Sequence, residues 1–99
     1  MAIQVRFFGQ FREMASCDEI RLEAGGRSLL DLIEDVAQAR PTLRAHLLEE
    51  DGTLTPKSLA FINGRNSRAI DKGNPILRDG DRVVLIPAVV GGASSGRSV

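Results

Sequence analysis

The sequence predicts an α+β fold, a mixed sheet of four to five strands packed on one main helix and followed by a flexible C-terminal Gly-Gly tail. Short segments of alternating apolar and polar residues, typical of half-buried strands, stand on both sides of a single long helical pattern. A nearly continuous apolar segment near the C-terminus is typical of a central strand. The 99 residues suffice for one domain with one small core. One helix covers one face of a sheet, so we expect the other face to meet solvent.

The N-terminal part of the chain predicts two strands that pair as a hairpin. Residues 3–7 alternate apolar and polar side chains, which is the period of a half-buried strand. Residues 9–16 break this alternation and indicate a loop or a short helical turn. Ile20 and Leu22 alternate with charged neighbours and predict a second, antiparallel strand that ends in turn residues at 24–27.

The main helix is predicted to begin after Ser28. Ser28 is a good N-cap, and Asp31 three residues later can complete a capping box. Apolar residues then recur at helical spacing, at Leu29, Leu32, Ile33, Val36 and Ala37. Pro41 ends the helix at or before Arg40. Leucines within residues 43–48 indicate a further helical turn or two.

A second hairpin is predicted in the third quarter of the chain. Residues 59–62 form a short strand that runs into Asn63-Gly64, a strong signal for a tight turn. We expect the partner strand at residues 67–70, followed by a loop at 71–75. Asp79-Gly-Asp81 indicates another turn.

The last strand leads into the C-terminal tail. Residues 83–86 are apolar without interruption, and Pro87 cannot donate to a strand ladder, so pairing should fade there. We therefore predict one domain at residues 1–90. Residues 91–99 are expected to be a flexible Gly-Gly tail with an extension beyond Gly92.

Composition excludes several classes of function. Thirteen basic and thirteen acidic side chains cancel, so no field attracts nucleic acid or an anionic membrane. No apolar run approaches a membrane span, and the N-terminus lacks the form of a signal peptide. A single cysteine, Cys17, and a single histidine, His46, do not make a disulfide or a metal site. We expect a cytoplasmic domain that binds no metal and no cofactor.

Five motifs occur in one order along residues 1–92 and together resemble the MoaD/ThiS family of sulfur carriers. Within that family, the small subunit of molybdopterin synthase is the nearest likeness. The motifs are Val5-Arg-Phe-Phe-Gly-Gln-Phe-Arg-Glu13, Leu30-Asp-Leu32, Ile62-Asn-Gly64, Leu77-Arg-Asp-Gly-Asp-Arg-Val-Val-Leu-Ile-Pro87 and Gly91-Gly92. The predicted order of strands and helix is likewise that of the β-grasp, or ubiquitin-like, fold. In that fold the first and last strands are neighbours.

The resemblance implies a protein sulfur donor rather than an enzyme. Gly92 would be adenylated by a separate E1-like enzyme that uses ATP, and then converted to a thiocarboxylate. Gly91 and the Ala88-Val89-Val90 segment would thread the narrow clefts of the partner enzymes, because glycine has no side chain to clash. The implied sulfur acceptor is the large subunit of molybdopterin synthase. The carrier itself would bind no cofactor.

The extension beyond Gly92 leaves two alternatives open. Activation requires Gly92 to be the free C-terminus, so residues 93–99 must be absent from the active form. A processing metalloprotease removes them, or they are an appended sequence that is not native. The sequence does not choose between the two.

The predicted strands also indicate a binding surface. If residues 3, 5 and 7 face the helix, Phe8 faces the opposite side of the sheet, as do Val84 and Ile86 on the last strand. A contiguous apolar patch marks an interface, so these residues are expected to bind the partner enzymes. Pro87, Ala88, Val89 and Val90 would extend the contact along the tail. The alternative is a face assignment that is wrong by one residue, or extra loops that cover the patch.

Two other functions stay open at the level of sequence. A ubiquitin-like modifier would be joined to lysines through Gly92, and a plain binding domain would keep its tail unprocessed. Sulfur carriers for cysteine, thiamine, tRNA thiolation or a secondary metabolite share the same tail.

Other residues of the chain have ordinary interpretations. Arg12 and Glu13 match the family but favour a surface ion pair. Cys17 is interpreted as a partly buried loop residue and His46 as a solvated helix residue. Lys57 and Lys72 are candidate conjugation acceptors with nothing to distinguish them.

Overall fold

The computed structural model describes residues 2–23 and 25–88. The strands and the long helix follow one another in the predicted order, and two short helices are present in addition. The strands are β1 (Ile3–Phe7), β2 (Glu19–Leu22), β3 (Ser58–Ile62), β4 (Arg65–Asn66) and β5 (Arg82–Pro87). The helices are α1 (Gln10–Ala15), α2 (Leu29–Ala39) and α3 (Arg44–Leu47).

The five strands form one mixed sheet in the order β2-β1-β5-β3-β4. β1 runs parallel to β5, whereas the other neighbouring pairs are antiparallel. The last strand therefore lies at the centre of the sheet and the first strand lies beside it, as predicted. This position explains why β5 is apolar along most of its length.

α2 supplies the layer that covers one face of the sheet. Its N-terminus has the predicted capping box, in which Ser28 Oγ accepts a hydrogen bond from the Asp31 backbone N–H and the Asp31 carboxylate accepts one from the Ser28 N–H. The helix ends at Ala39, ahead of Pro41, also as predicted. Its apolar stripe is buried against the sheet at Leu29, Leu32, Ile33, Val36 and Ala37.

The segment predicted as a loop or short helical turn is the six-residue helix α1. It begins after Gly9, whose φ of 59° and ψ of −138° suit glycine rather than an L side chain. Arg40, at the end of α2, donates from Nε to the Ala15 carbonyl at 2.9 Å, and Thr42 donates to the Met14 carbonyl. These bonds hold the end of α1 against the residues that directly follow the main helix.

The second hairpin corrects one prediction. Asn63 and Gly64 adopt φ of 51° and 88°, so the tight turn is confirmed. The partner strand is Arg65–Asn66, however, and not residues 67–70. The Asn66 side chain accepts a hydrogen bond from the Arg68 N–H and caps a single 3₁₀ turn at Ser67–Ala69, which bends the chain out of the ladder.

The remaining segments agree with their predicted character. Residues 43–47 lie in a 3₁₀ turn at Pro41–Leu43 and in α3, and Leu48 is the extended residue that ends α3. The predicted loop at 71–75 begins with a 3₁₀ turn at Asp71–Gly73. No helix within the described residues is long and apolar enough to cross a membrane. The predicted boundary at residue 90 and the tail at residues 91–99 lie outside the described residues.

Candidate functional site

β5 has apolar side chains on both faces of the sheet. Val83 and Leu85 are completely buried beneath α2, as are Val5 on β1 and Ala60 on β3. Val84 and Ile86 alternate with them on the opposite face and are half-buried. The face assignment made from the sequence is therefore confirmed for β5.

Phe8 lies on the same open face, directly after β1. Its backbone N–H donates to the Leu85 carbonyl at 3.1 Å, which keeps Phe8 in line with the ladder between β1 and β5. At Gly9 the chain turns away into α1. The Phe8 side chain is 46% exposed, and the Arg6 guanidinium carbon lies 5.8 Å from the centre of its ring. The predicted exposure of Phe8 is confirmed.

Two further members of this surface, Leu59 and Phe61, were not identified from the sequence. In the antiparallel register Leu59 is opposite Ile86, and Phe61 is opposite Val84. Directly opposed side chains stand about 5 Å apart at Cβ, so the pairs are in contact range. Along β3, Ala60 and Ile62 are buried but Leu59 and Phe61 are half-buried, an alternation that the uniformly apolar residues 59–62 do not display in the sequence.

The open face thus has a contiguous apolar surface, which we call the open-face patch. Its members are Phe8, Leu59, Phe61, Val84 and Ile86. All of them lie in the half of the sheet where the parallel strands β1 and β5 end. Such a surface supports docking of an apolar partner, because its burial removes apolar area from water.

The last described residues of the chain are fixed beside this patch. Pro87 is opposite Ser58 in the register with β3, and its ring lies next to Gly9, where an added Cβ would be 3.5 Å from Pro87 Cγ. One residue beyond the strand, the Ala88 N–H still donates to the Lys57 carbonyl at 2.9 Å. Pro87 and Ala88 are both half-buried. The other predicted tail residues, Val89, Val90, Gly91 and Gly92, lie outside the described residues.

The remaining candidates occupy ordinary structural positions. Arg12 pairs with Asp18 at 3.7 Å rather than with Glu13, and both members of the pair are exposed. Cys17 is half-buried, with its Sγ 3.6 Å from an Nη of Arg40. His46 is exposed on α3. Among the described residues, no three His, Cys, Asp or Glu side chains are grouped as a metal site.

The lysines considered as conjugation acceptors are both exposed. Lys57 precedes β3, and Lys72 lies in the 3₁₀ turn at Asp71–Gly73. Neither position distinguishes an acceptor lysine from an ordinary surface lysine.

The sequence model of the ThiS family matches residues 5–92 of the chain. The match therefore ends on the second glycine of Gly91-Gly92. It includes every element of the described sheet apart from the first residues of β1.

Three relatives are similar over nearly the whole chain, each alignment covering 93% of this chain and 100% of the relative. The chain is 30% identical over 92 residues to a candidate sulfur carrier protein of Archaeoglobus fulgidus. It is 32% identical over 101 aligned positions to small archaeal modifier protein 3 of Haloferax volcanii. It is 33% identical over 94 to the molybdopterin synthase sulfur carrier subunit of Chlamydomonas reinhardtii.

Solved structures share the fold. The solution structure of small archaeal modifier protein 1 from Methanosarcina acetivorans superposes with a TM-score of 0.81 at 25% identity, over 96% of each chain. A chain of the BexX/CysO complex from Amycolatopsis orientalis superposes with a TM-score of 0.73 at 26% identity, over 92% of this chain and 100% of that one. These likenesses confirm the ubiquitin-like β-grasp fold.

Proposed function

The chain belongs to the ThiS family of ubiquitin-like sulfur carriers, and from that membership we propose that it carries sulfur as a thiocarboxylate on Gly92. Its relatives are small sulfur carriers and protein modifiers. Molybdopterin synthesis is the pathway that we propose first. The carrier would be a cytoplasmic protein sulfur donor, and catalysis would belong to its partners.

One observation carries this proposal. The open-face patch borders the point where the Ala88 N–H is hydrogen-bonded to the Lys57 carbonyl, so a partner that covers the patch also covers the start of the tail. Gly92 lies four positions beyond Ala88 in the sequence. An extended segment of that length spans about 13 Å. A docked partner could therefore receive Gly92 in a recessed active site while it holds the rigid domain outside.

The chemistry explains why a separate activating enzyme is required. A carboxylate is a poor acyl donor, so a Gly92 oxygen would attack the α-phosphate of ATP and release pyrophosphate. Hydrosulfide supplied by a sulfur donor would then attack the acyl carbon and displace AMP, and loss of its proton leaves the thiocarboxylate. Every catalytic group for these steps would come from the partner enzyme. The role of this chain is to present Gly92, with Gly91 and residues 88–90 in the enzyme's cleft.

The choice of pathway is supported by the Chlamydomonas reinhardtii relative, which is a molybdopterin synthase sulfur carrier subunit. We propose that the large subunit of molybdopterin synthase docks on the same open-face patch as the adenylating enzyme. The likeness to a chain of the BexX/CysO complex keeps other sulfur acceptors, including those of cysteine or secondary-metabolite synthesis, as alternatives. Residues 93–99 would be removed first, and a metalloprotease is the proposed processing enzyme.

The test is the intact mass of the chain that ends at Gly92, after incubation with its adenylating enzyme, ATP and a sulfur donor. We expect a mass increase equal to the replacement of one oxygen by one sulfur. The matched control is the chain that ends at Val99, which should not change because its Gly92 carbonyl is part of a peptide bond. An unmodified Gly92 form would overturn the proposal.

The pathway is tested on the sulfur-loaded protein. Addition of the molybdopterin synthase large subunit and its pterin precursor should return the mass to that of the free carboxylate and yield molybdopterin. Retention of the sulfur would assign the carrier to another acceptor.

A second function, protein modification, is favoured by the similarity to two small archaeal modifier proteins. In this case the activated Gly92 carbonyl would form an isopeptide bond with a lysine amine, with loss of AMP. Mass spectrometry of tryptic digests from the native host should then reveal lysines that carry the C-terminal residues of this chain. If isopeptide-linked peptides are found and no thiocarboxylate is found, the modifier function is supported in place of the carrier function.

A further inference from the structure

The open face has a second, polar half, at the end of the sheet away from the tail. Arg21 on β2 is in register with Gln4 on β1, and Gln4 is in register with Arg82 on β5. The three side chains line a shallow groove of about 380 Å³ together with Ala2 and Gly80. We call Arg21, Gln4 and Arg82 the basic row.

The two arginines of the row are poorly neutralised by the protein itself. Arg21 Nε lies 4.0 Å from the Glu19 carboxylate, and the Arg21 side chain remains largely exposed. Within residues 2–23 and 25–88, no carboxylate lies within 4.0 Å of the Arg82 guanidinium. On the helical side, by contrast, Arg27 and Arg44 pair with acids of α2.

The basic row and the open-face patch have a defined spatial order. Arg82, Val84 and Ile86 are successive residues on one face of β5, so about 7 Å separates each from the next. The order along this line is therefore cation, apolar side chains, and then the start of the tail at Ala88. A partner surface that complements the cation, the apolar side chains and the start of the tail can bind the sheet in only one orientation.

We propose that the basic row binds carboxylate side chains on the adenylating enzyme and thereby fixes the direction in which the tail enters that enzyme. This inference rests on the proposed function and adds the chemistry of the partner surface, which must present acids about 7 to 14 Å from its apolar contact. Guanidinium groups suit carboxylates because their paired N–H groups donate to both oxygens. Gln4 can donate a further hydrogen bond between the two cations.

The physical need for the row follows from the nature of the patch. Apolar burial is non-directional, so a patch of aliphatic and aromatic side chains tolerates several rotations of the partner. Charge complementarity disfavours the wrong rotations and accelerates the correct encounter. Orientation matters here because Gly92 reaches its reaction site only if the start of the tail points towards it.

The inference is tested by association kinetics between the chain ending at Gly92 and its adenylating enzyme, across a range of ionic strengths. The test variant is Arg82→Glu, alone and with Arg21→Glu. At low salt we expect the association rate to fall about tenfold for the single variant and further for the double variant. The difference from wild type should shrink as salt screens the charges.

Two control variants separate orientation by charge from a general effect of charge. Arg65→Glu makes the same charge change at an exposed arginine opposite the buried Ile62, and therefore on the other side of the sheet. Near 0.15 M salt, where charges are screened over about 8 Å, its association rate should stay within about twofold of wild type, because its side chain lies on the face away from the contact. Arg82→Lys retains the charge and should keep most of the wild-type rate.

The outcomes distinguish this inference from the function on which it rests. If the wild-type chain acquires sulfur but Arg82→Glu associates like Arg65→Glu at every salt concentration, the basic row has no role and the carrier function stands. If the wild-type chain does not bind the adenylating enzyme at all, both fail. The inference is supported if Arg82→Glu and the double variant associate more slowly than wild type, Arg65→Glu does not, and the difference disappears at high salt.

Discussion

The strand β5 has apolar side chains on both faces of the sheet, and the two faces differ in what covers them. On the inner face, Val83 and Leu85 of β5 are completely buried beneath α2. On the outer face, Val84 and Ile86 of the same strand are only half-buried, and Phe8 beside them is 46% exposed. Apolar side chains on the inner face stabilise the fold, whereas those on the outer face are available to a partner.

Charge distinguishes the two sides as well. On the helical side, Arg27 pairs with Asp35 at 2.8 Å, and Arg44 pairs with Glu34. On the open face, Arg6 contacts the Phe8 ring, and among the described residues it has no carboxylate within 4.0 Å. The two arginine–carboxylate pairs with α2 therefore lie on the helical side, whereas Arg6 on the open face has an aromatic ring as its neighbour. The net charge of zero conceals this difference.

The largest predicted effect compares adjacent residues on β5. Leu85→Ala should lower the free energy of unfolding by about 2 to 5 kcal/mol, because it leaves a cavity in the core. Ile86→Ala should cost about 1 kcal/mol or less, because that side chain is half-buried on the open face. Urea denaturation followed by circular dichroism measures both values. Equal losses of unfolding free energy would contradict the conclusion that the inner face stabilises the fold while the open face is available for binding.

The second prediction concerns the function of the open face. Phe8→Glu should weaken binding to the adenylating enzyme by about 30-fold or more, the loss typical of a central apolar contact. Its free energy of unfolding should stay close to that of the wild type. Calorimetry with the purified partner, next to urea denaturation, measures the two quantities.

The structure offers a matched control for this variant. Ile76 is the other large apolar residue that is prominently exposed in the described chain, at 61%, and it is not part of the open-face patch. Ile76→Glu introduces the same side chain on a different surface and should leave affinity unchanged. A loss of affinity as large as that of Phe8→Glu would contradict the assignment of the patch.

The smallest predicted effect concerns the helix that covers the inner face. Ser28→Ala removes the hydroxyl that accepts from the Asp31 N–H and should lower the free energy of unfolding by about 1 kcal/mol. Binding to the adenylating enzyme should not change, since α2 lies on the far side of the sheet. Ser28→Thr, which retains an N-cap hydroxyl, should recover most of the lost stability. A weaker affinity of Ser28→Ala would show that the two faces are coupled.

Much of the fold could be predicted because local signals agreed with the tertiary structure. The capping box at Ser28 and Asp31, the apolar stripe of α2 and the Asn63-Gly64 turn all report short-range interactions, which the sequence displays directly. The prediction of a strand at residues 67–70 was wrong because Asn66 caps a 3₁₀ turn there. The Asn66 side chain competes with strand pairing for the backbone N–H groups, and this competition leaves no strong periodic pattern in the sequence.

The candidate site was predicted only in part. Phe8, Val84 and Ile86 followed from alternation along single strands. Leu59 and Phe61 did not, because their membership depends on the register between β3 and β5, and a register joins residues about 25 positions apart. The basic row was missed for the same reason, since its members lie on three different strands.

The sequence by itself determined the order of the main elements, the position of the main helix and the resemblance to a sulfur carrier. These features rest on periodicity, caps and motifs, which are local properties of a chain. Only the tertiary structure decided which residues of different strands meet on the open face. It also decided that the open-face patch borders the tail and that the basic row lies at the opposite end of the sheet. Strand pairing sets both, because it brings together distant segments whose relative position no local pattern specifies.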